Sequence, residues 1–169
     1  TSIYSFQNVT IQGKKYAGFL TRSGFQLLNS RNQIYLKHQG DYFAWKLEDF
    51  NKDGYEDIFL DNGGNTPERF DLLLYVSMTK SFRQVKGFED FPASAKIGAT
   101  KYYYSYHKSG CADANWDSDL FYISSFKAIR IGNISGRQCQ NRGIKDGLYI
   151  NKLRGGKRIL FKTLNIDSI

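Results

Sequence analysis

The stretch "EDFNKDGYEDIFL", residues 48–60, places Asp49, Asn51, Asp53 and Asp57 around Gly54 and between short apolar flanks. Carboxylates held this close repel one another unless a cation joins them. A calcium ion takes about six to eight oxygens, and a D-x-[DN]-x-[DN]-G core supplies side-chain oxygens at its first, third and fifth places, with glycine sixth for the sharp turn. Those places are Asp49, Asn51, Asp53 and Gly54. The seventh offers a backbone carbonyl, here that of Tyr55, and the ninth a further carboxylate, Asp57. The expected ligand set for one Ca²⁺ is therefore Asp49, Asn51, Asp53, Tyr55 and Asp57.

The flanks decide what carries the loop. A helical calcium hand needs a bidentate Glu at the twelfth place, where this chain has Leu60. "FAWKLEDF" (43–50) and "IFL" (58–60) are short and rich in aromatic and β-branched residues, the composition of strands. "SFQNVTIQG" (5–13), "KYAGFLTRSG" (15–24) and "FQLLNSRNQIYLKHQG" (25–40) precede the loop, and "FDLLLYVSMTKSFRQVKG" (70–87) follows it. Each consists of short apolar or alternating runs broken by Gly, Asn, Asp or Ser, the signature of strands and hairpins. "DSDLFYISSFKAI" (117–129) shows no consistent helical face and reads as strand. "GLYINKLRGGKRILFKTLNI" (147–166) reads as two strands turning at Gly155-Gly156. The expectation is one all-β domain, residues 1–169, of antiparallel strands in a β-sandwich or small propeller-like arrangement, with the calcium loop between two strands.

Composition agrees with this architecture. The 169 residues include 12 Tyr, 13 Phe, 16 Gly and only 2 Pro, a profile that favours strands and tight turns. A core of ordinary size is within reach at this length, so a bound metal would stiffen the fold locally rather than create it. No apolar run approaches a membrane span, and the first 30 residues lack the zones of a signal peptide. A start at Thr1 is compatible with a removed signal.

The net charge of +8 is unevenly placed. Arg142, Lys145, Lys152, Arg154, Lys157, Arg158 and Lys162 face only Asp146 and Asp167 between residues 138 and 169, a local balance of +5. Between Asp49 and Asp71 the balance is −5, with Asp49, Asp53, Glu56, Asp57, Asp61, Glu68 and Asp71 against Lys52 and Arg69.

The pattern D-x-N-x-D-G-x-x-D between two strands resembles the calcium loops of FG-GAP and VCBS-type repeats, in which the ninth-place Asp replaces the missing Glu. Those loops sit in β-rich extracellular or periplasmic proteins. Further on, "FDLLLYVSMTKSFRQVKGFEDF" (70–91) looks like a strand pair with an aromatic return. Its layout is similar to bacterial envelope proteins that resemble periplasmic lysozyme inhibitors, several of which act as immunity proteins against secreted cell-wall hydrolases. The resemblance spans roughly residues 43–92. It implies a periplasmic or extracellular, non-catalytic calcium-binding protein whose partner is another protein, with inhibition of a cell-wall hydrolase as its sharpest form.

Cys111 and Cys139 lie 28 positions apart, too far for a zinc knuckle. In an oxidising compartment they form one disulfide worth about 3 to 4 kcal/mol in the chain-entropy model; in the cytosol they would be two buried thiols. His107 precedes Cys111 by four residues, yet a nucleophile and base would need a free thiol and a third orienting group. The segment with Asp113, Asn115, Trp116, Asp117 and Asp119 reads as a polar, aromatic ligand loop, the basis of an alternative function as a carbohydrate-binding module or carbohydrate-active enzyme. "YINKLRGGKRILFK" (149–162) mixes basic and apolar residues without any accompanying nucleic-acid motif, so no nucleic-acid partner is expected. "NVT" at Asn8 and "NIS" at Asn133 fit the glycosylation acceptor pattern.

Overall fold

A computed structural model describes residues 2–63, 69–139 and 143–165; Glu68, Arg142 and Asp167, counted in the charge balances above, lie outside them. The chain is all-β and antiparallel, and it divides into two compact units that meet in sequence at Glu89 and Asp90.

The first unit holds two four-stranded meanders. One comprises β1 (Ile3–Ile11), β2 (Lys14–Thr21), β3 (Gly24–Asn29) and β4 (Ile34–His38) in that spatial order. The other comprises β5 (Ala44–Glu48), β6 (Asp57–Gly63), β7 (Arg69–Val76) and β8 (Ser81–Gln84). Strand alternation puts Tyr16, Leu20, Phe25 and Leu27 on the inner face of the first sheet, against Trp45, Ile58, Leu60 and Leu73 of the second. β6 is buried along Asp57, Ile58, Phe59 and Leu60, because both of its faces are covered. Ile58 and Leu60 join the inter-sheet core, while Phe59 packs with Phe50, Phe70 and Phe88 at centroid distances of 5.5 to 6.1 Å. The strand that leads out of the acidic loop is thus the best anchored in its sheet.

A 3-10 turn, Phe88–Asp90, spans the point in sequence where the second unit begins. This unit contains β9 (Ala95–Lys96), β10 (Tyr102–Tyr104), β11 (His107–Lys108), β12 (Trp116–Ser124), β13 (Lys127–Arg137), β14 (Gly147–Arg154) and β15 (Lys157–Leu164). They form one seven-stranded sheet in the order β15-β14-β13-β12-β10-β9, with β11 also paired to β12. Tyr103 of β10 and Phe91, which precedes β9, both stack on Phe121 of β12, the Phe91 and Phe121 rings only 4.1 Å apart.

The closing hairpin turns at Gly155-Gly156 with φ of 56° and 75°, as the sequence predicts. The segment 117–129, expected as one strand, is instead two. It reverses at Ser125-Phe126, with φ of 49° and 57°, and Ser124 pairs with Lys127. Neither Ser nor Phe is a usual occupant of this turn, so the sequence carries no local mark of it.

Candidate functional site

The acidic loop joins β5 to β6, which are in register up to Glu48 opposite Asp57. Positive φ at Lys52 (59°) and Gly54 (89°) closes it sharply. The side chains of Asp49, Asn51 and Asp53 point at the loop's own backbone: Asp49 accepts hydrogen bonds from the amides of Asp53 (3.1 Å) and Gly54 (3.0 Å). Asn51 Oδ1 also accepts from the Asp53 amide, and Asp53 Oδ1 from that of Tyr55. Three side-chain oxygen groups therefore face the loop interior, the donor chemistry a hard cation requires. Tyr55, whose carbonyl is the expected seventh-place donor, packs its ring against Tyr75 at 5.4 Å.

Asp57 differs from the other three. It is fully buried, its Oδ1 accepts from the Tyr75 amide at 2.9 Å and its Oδ2 from the Phe50 amide at 3.0 Å. Burial pushes its carboxyl up to about 7, against the lowering effect of those two amides. Each ionised carboxylate oxygen keeps a second lone pair, and a nearby cation favours the ionised form. Asp57 thus ties loop, β6 and β7 together. Among the described residues no three Asp, Glu, His or Cys side chains form a ready ligand cluster; the loop's donor set also counts Asn51 and a carbonyl.

The segment expected as a ligand loop is split by the fold. Asp113 and Asn115 lie in the turn before β12, where Asp113 pairs with Lys108 at 2.5 Å and Asn115 Oδ1 accepts from the Gln138 amide. Trp116 begins β12 and its indole covers Gly136, where an added Cβ would meet it at 2.3 Å. Asp117 and Asp119 are buried on β12 itself. Asp117 accepts from Ser135 Oγ at 2.5 Å and, at its two carboxylate oxygens, from the single donor Arg137 Nη2 at 3.0 and 3.1 Å. Burial works to raise this carboxyl, but Ser135 and Arg137 more than offset it and hold it below the usual carboxylate range. A group kept ionised in this way is a poor proton donor near neutral pH. Asp119 accepts from Asn133 at 3.0 Å and lies 3.1 Å from Arg130 Nε and 3.5 Å from His107 Nε2.

Sequence reasoning missed two clusters. Ser135, Arg137 and Asn133 complete the first from β13; the period-two polar residues of "DSD" (117–119) and "NISGR" (133–137) were the available signal. In the second, Asp71 collects Tyr42 (2.7 Å), Asn62 (2.9 Å), His38 (3.4 Å) and Gln84 (3.4 Å). Burial opposes ionisation there too, yet the His38, Asn62 and Tyr42 contacts hold Asp71 below the usual range. Nothing local links those positions.

Cys111 and Cys139 are joined as a disulfide, which removes the thiol a nucleophile would need. Asn133 is 2% exposed and hydrogen-bonded within the sheet, so of the two glycosylation patterns only Asn8 is accessible.

No protein-family profile and no curated protein matches the chain. A solved structure described as a Xanthomonas type IV secretion system related protein is similar over 94% of this chain and 85% of that one, with a TM-score of 0.56 and 15% sequence identity. At that identity the likeness is one of fold: the arrangement of strands described above recurs in a protein of almost unrelated sequence.

Proposed function

We propose that this chain is a non-catalytic calcium-binding protein of the periplasm or extracellular space that binds another protein, a secreted cell-wall hydrolase being the partner in the sharpest form of the reading. The observation that carries it is the 49–57 loop. Asp49, Asn51 and Asp53 face its interior and Asp57 anchors it to β6 and β7, so that Ca²⁺ held by these residues and the Tyr55 carbonyl would stiffen a surface loop on a rigid sheet. Surface loops on such scaffolds suit recognition. The disulfide agrees with an oxidising compartment, and the secretion-system association of the structural neighbour agrees with an envelope setting. The acidic pole around the loop suits a basic partner, as many cell-wall hydrolases are, despite the net charge of +8.

Hydrolase assays with a panel of purified cell-wall hydrolases, with calcium and with chelator, test the proposal. Stoichiometric loss of one hydrolase's activity, weakened by chelator, is expected. Glycan release by this protein alone, abolished by Asp117→Asn, would replace the proposal with a carbohydrate-active enzyme. Inhibition of none of the panel, with no complex by gel filtration, would remove the hydrolase partner.

A further inference from the structure

The first unit carries a concave surface that the reading above does not use. Three adjoining depressions of about 480, 630 and 230 Å³ share Tyr16 and lie along the β1–β2 and β3–β4 hairpins, the third reaching Tyr75 and Lys80 at the β7–β8 end. Their cationic residues are Lys14, Lys15, Arg31 and Lys80, and no Asp or Glu lines any of the three. Among the described residues none of these four cations makes an ion pair. In a chain with 16 acidic residues, a concavity lined this way holds an uncompensated positive potential, which low-dielectric walls focus.

The remaining lining is rich in groups that both donate and accept. Asn8, Thr10 and Asn32 are exposed there, and amides and hydroxyls of this kind match the hydroxyls of a sugar ring. The walls are fixed in advance. Asn29 Oδ1 accepts from the amides of Arg31 (2.9 Å) and Gln33 (3.0 Å), which sets the turn from which Arg31 and Asn32 project. Tyr16 packs on Tyr35 at 4.9 Å, and the Tyr35 hydroxyl donates to the Lys80 carbonyl. A preformed site loses less freedom when a ligand binds.

We propose that this groove binds an anionic oligosaccharide, its acidic groups meeting Lys14, Lys15 and Arg31 and its hydroxyls meeting the amide side chains. A single-stranded nucleic acid is the other flexible polyanion, but it relies on open aromatic faces for its bases. Tyr16 is only 9% exposed, and the half-buried Tyr35 ring is already packed against Tyr16 and Phe82.

Isothermal titration of the full chain at about 0.15 M salt provides the test, with four probes: a short polygalacturonate, a heparin oligosaccharide, a neutral malto-oligosaccharide and an oligothymidylate. At least one acidic saccharide should bind while the neutral one does not, and the arm that binds identifies carboxylate or sulfate as the recognised group. Lys14→Glu with Lys15→Glu should weaken binding by about tenfold or more, whereas Lys86→Glu with Lys127→Glu, the same change in net charge on exposed residues elsewhere, should stay within about threefold. Thermal melting checks that both variants fold. Equal losses in the two variants would reduce the effect to net charge and overturn the proposal. So would failure of both acidic saccharides, equal binding of the neutral one, or tighter binding of the oligothymidylate.

Discussion

Both oxygens of Asp57 are held by buried backbone amides, while Asp53 is exposed and bonds within its own loop. Under the proposal Asp57 is both scaffold and ligand, whereas Asp53 is a ligand only. Removing Asp57 leaves two donors without an acceptor, at about 1–3 kcal/mol each. Urea unfolding in chelator should show Asp57→Ala losing about 2–6 kcal/mol and Asp53→Ala within about 0.5 kcal/mol of the parent. Comparable losses would make both residues structural. Asp117 supports a pH prediction. Its carboxyl is lowered in the folded state, so its contribution is present above the unfolded value of about 3.9 and is lost as pH falls through the folded one. Asp117→Asn should be less stable than the parent at pH 7, with the difference shrinking below about pH 4; a pH-independent difference would assign the effect to packing. The clustering of Asp49, Asn51 and Asp53 on one loop backbone was legible because their relation is a fixed spacing. The sequence did not reveal the ion pairs of Asp117 or the contact of His38 with Asp71, since their partners arrive from strands 20 and 33 positions away.

Between elements, one close approach in the first unit joins the two meanders. A Cβ on Gly18 of β2 would lie 2.4 Å from Cζ2 of Trp45 on β5, and Trp45 in turn packs on Phe25 at 4.9 Å. Glycine at position 18 is thus required by space rather than by φ. Gly18→Ala should cost about 1–3 kcal/mol through overpacking, and combining it with Trp45→Phe, which removes the obstructing ring, should show favourable coupling in a double-mutant cycle. Strict additivity would mean that the sheets separate to accept the methyl group. The hairpins on Gly155-Gly156 and around the acidic loop were legible because turn chemistry and apolar alternation agree there. The reversal at Ser125-Phe126 was not, because strand pairing across Ser124 and Lys127 imposes it on residues that carry no turn preference.

For the molecule as a whole, strand and turn composition identified an all-β antiparallel chain, and the cysteine pair identified the bridge in the second unit. How the strands divide into three sheets depends on contacts far apart in sequence, which periodicity does not encode. The bridge should matter for stability: Cys111→Ala with Cys139→Ala is expected to lose about 3–4 kcal/mol, read by urea unfolding without reductant, and no loss would show that the 111–139 segment is held by its strands alone. Calorimetric titration of calcium into chelator-stripped protein, with Asp53→Ala as control, tests for a calcium ion at residues 49–57. One site per chain, absent in the variant and accompanied by a rise in melting temperature, is the predicted result; no heat at millimolar calcium, or the same heat in the variant, would contradict it.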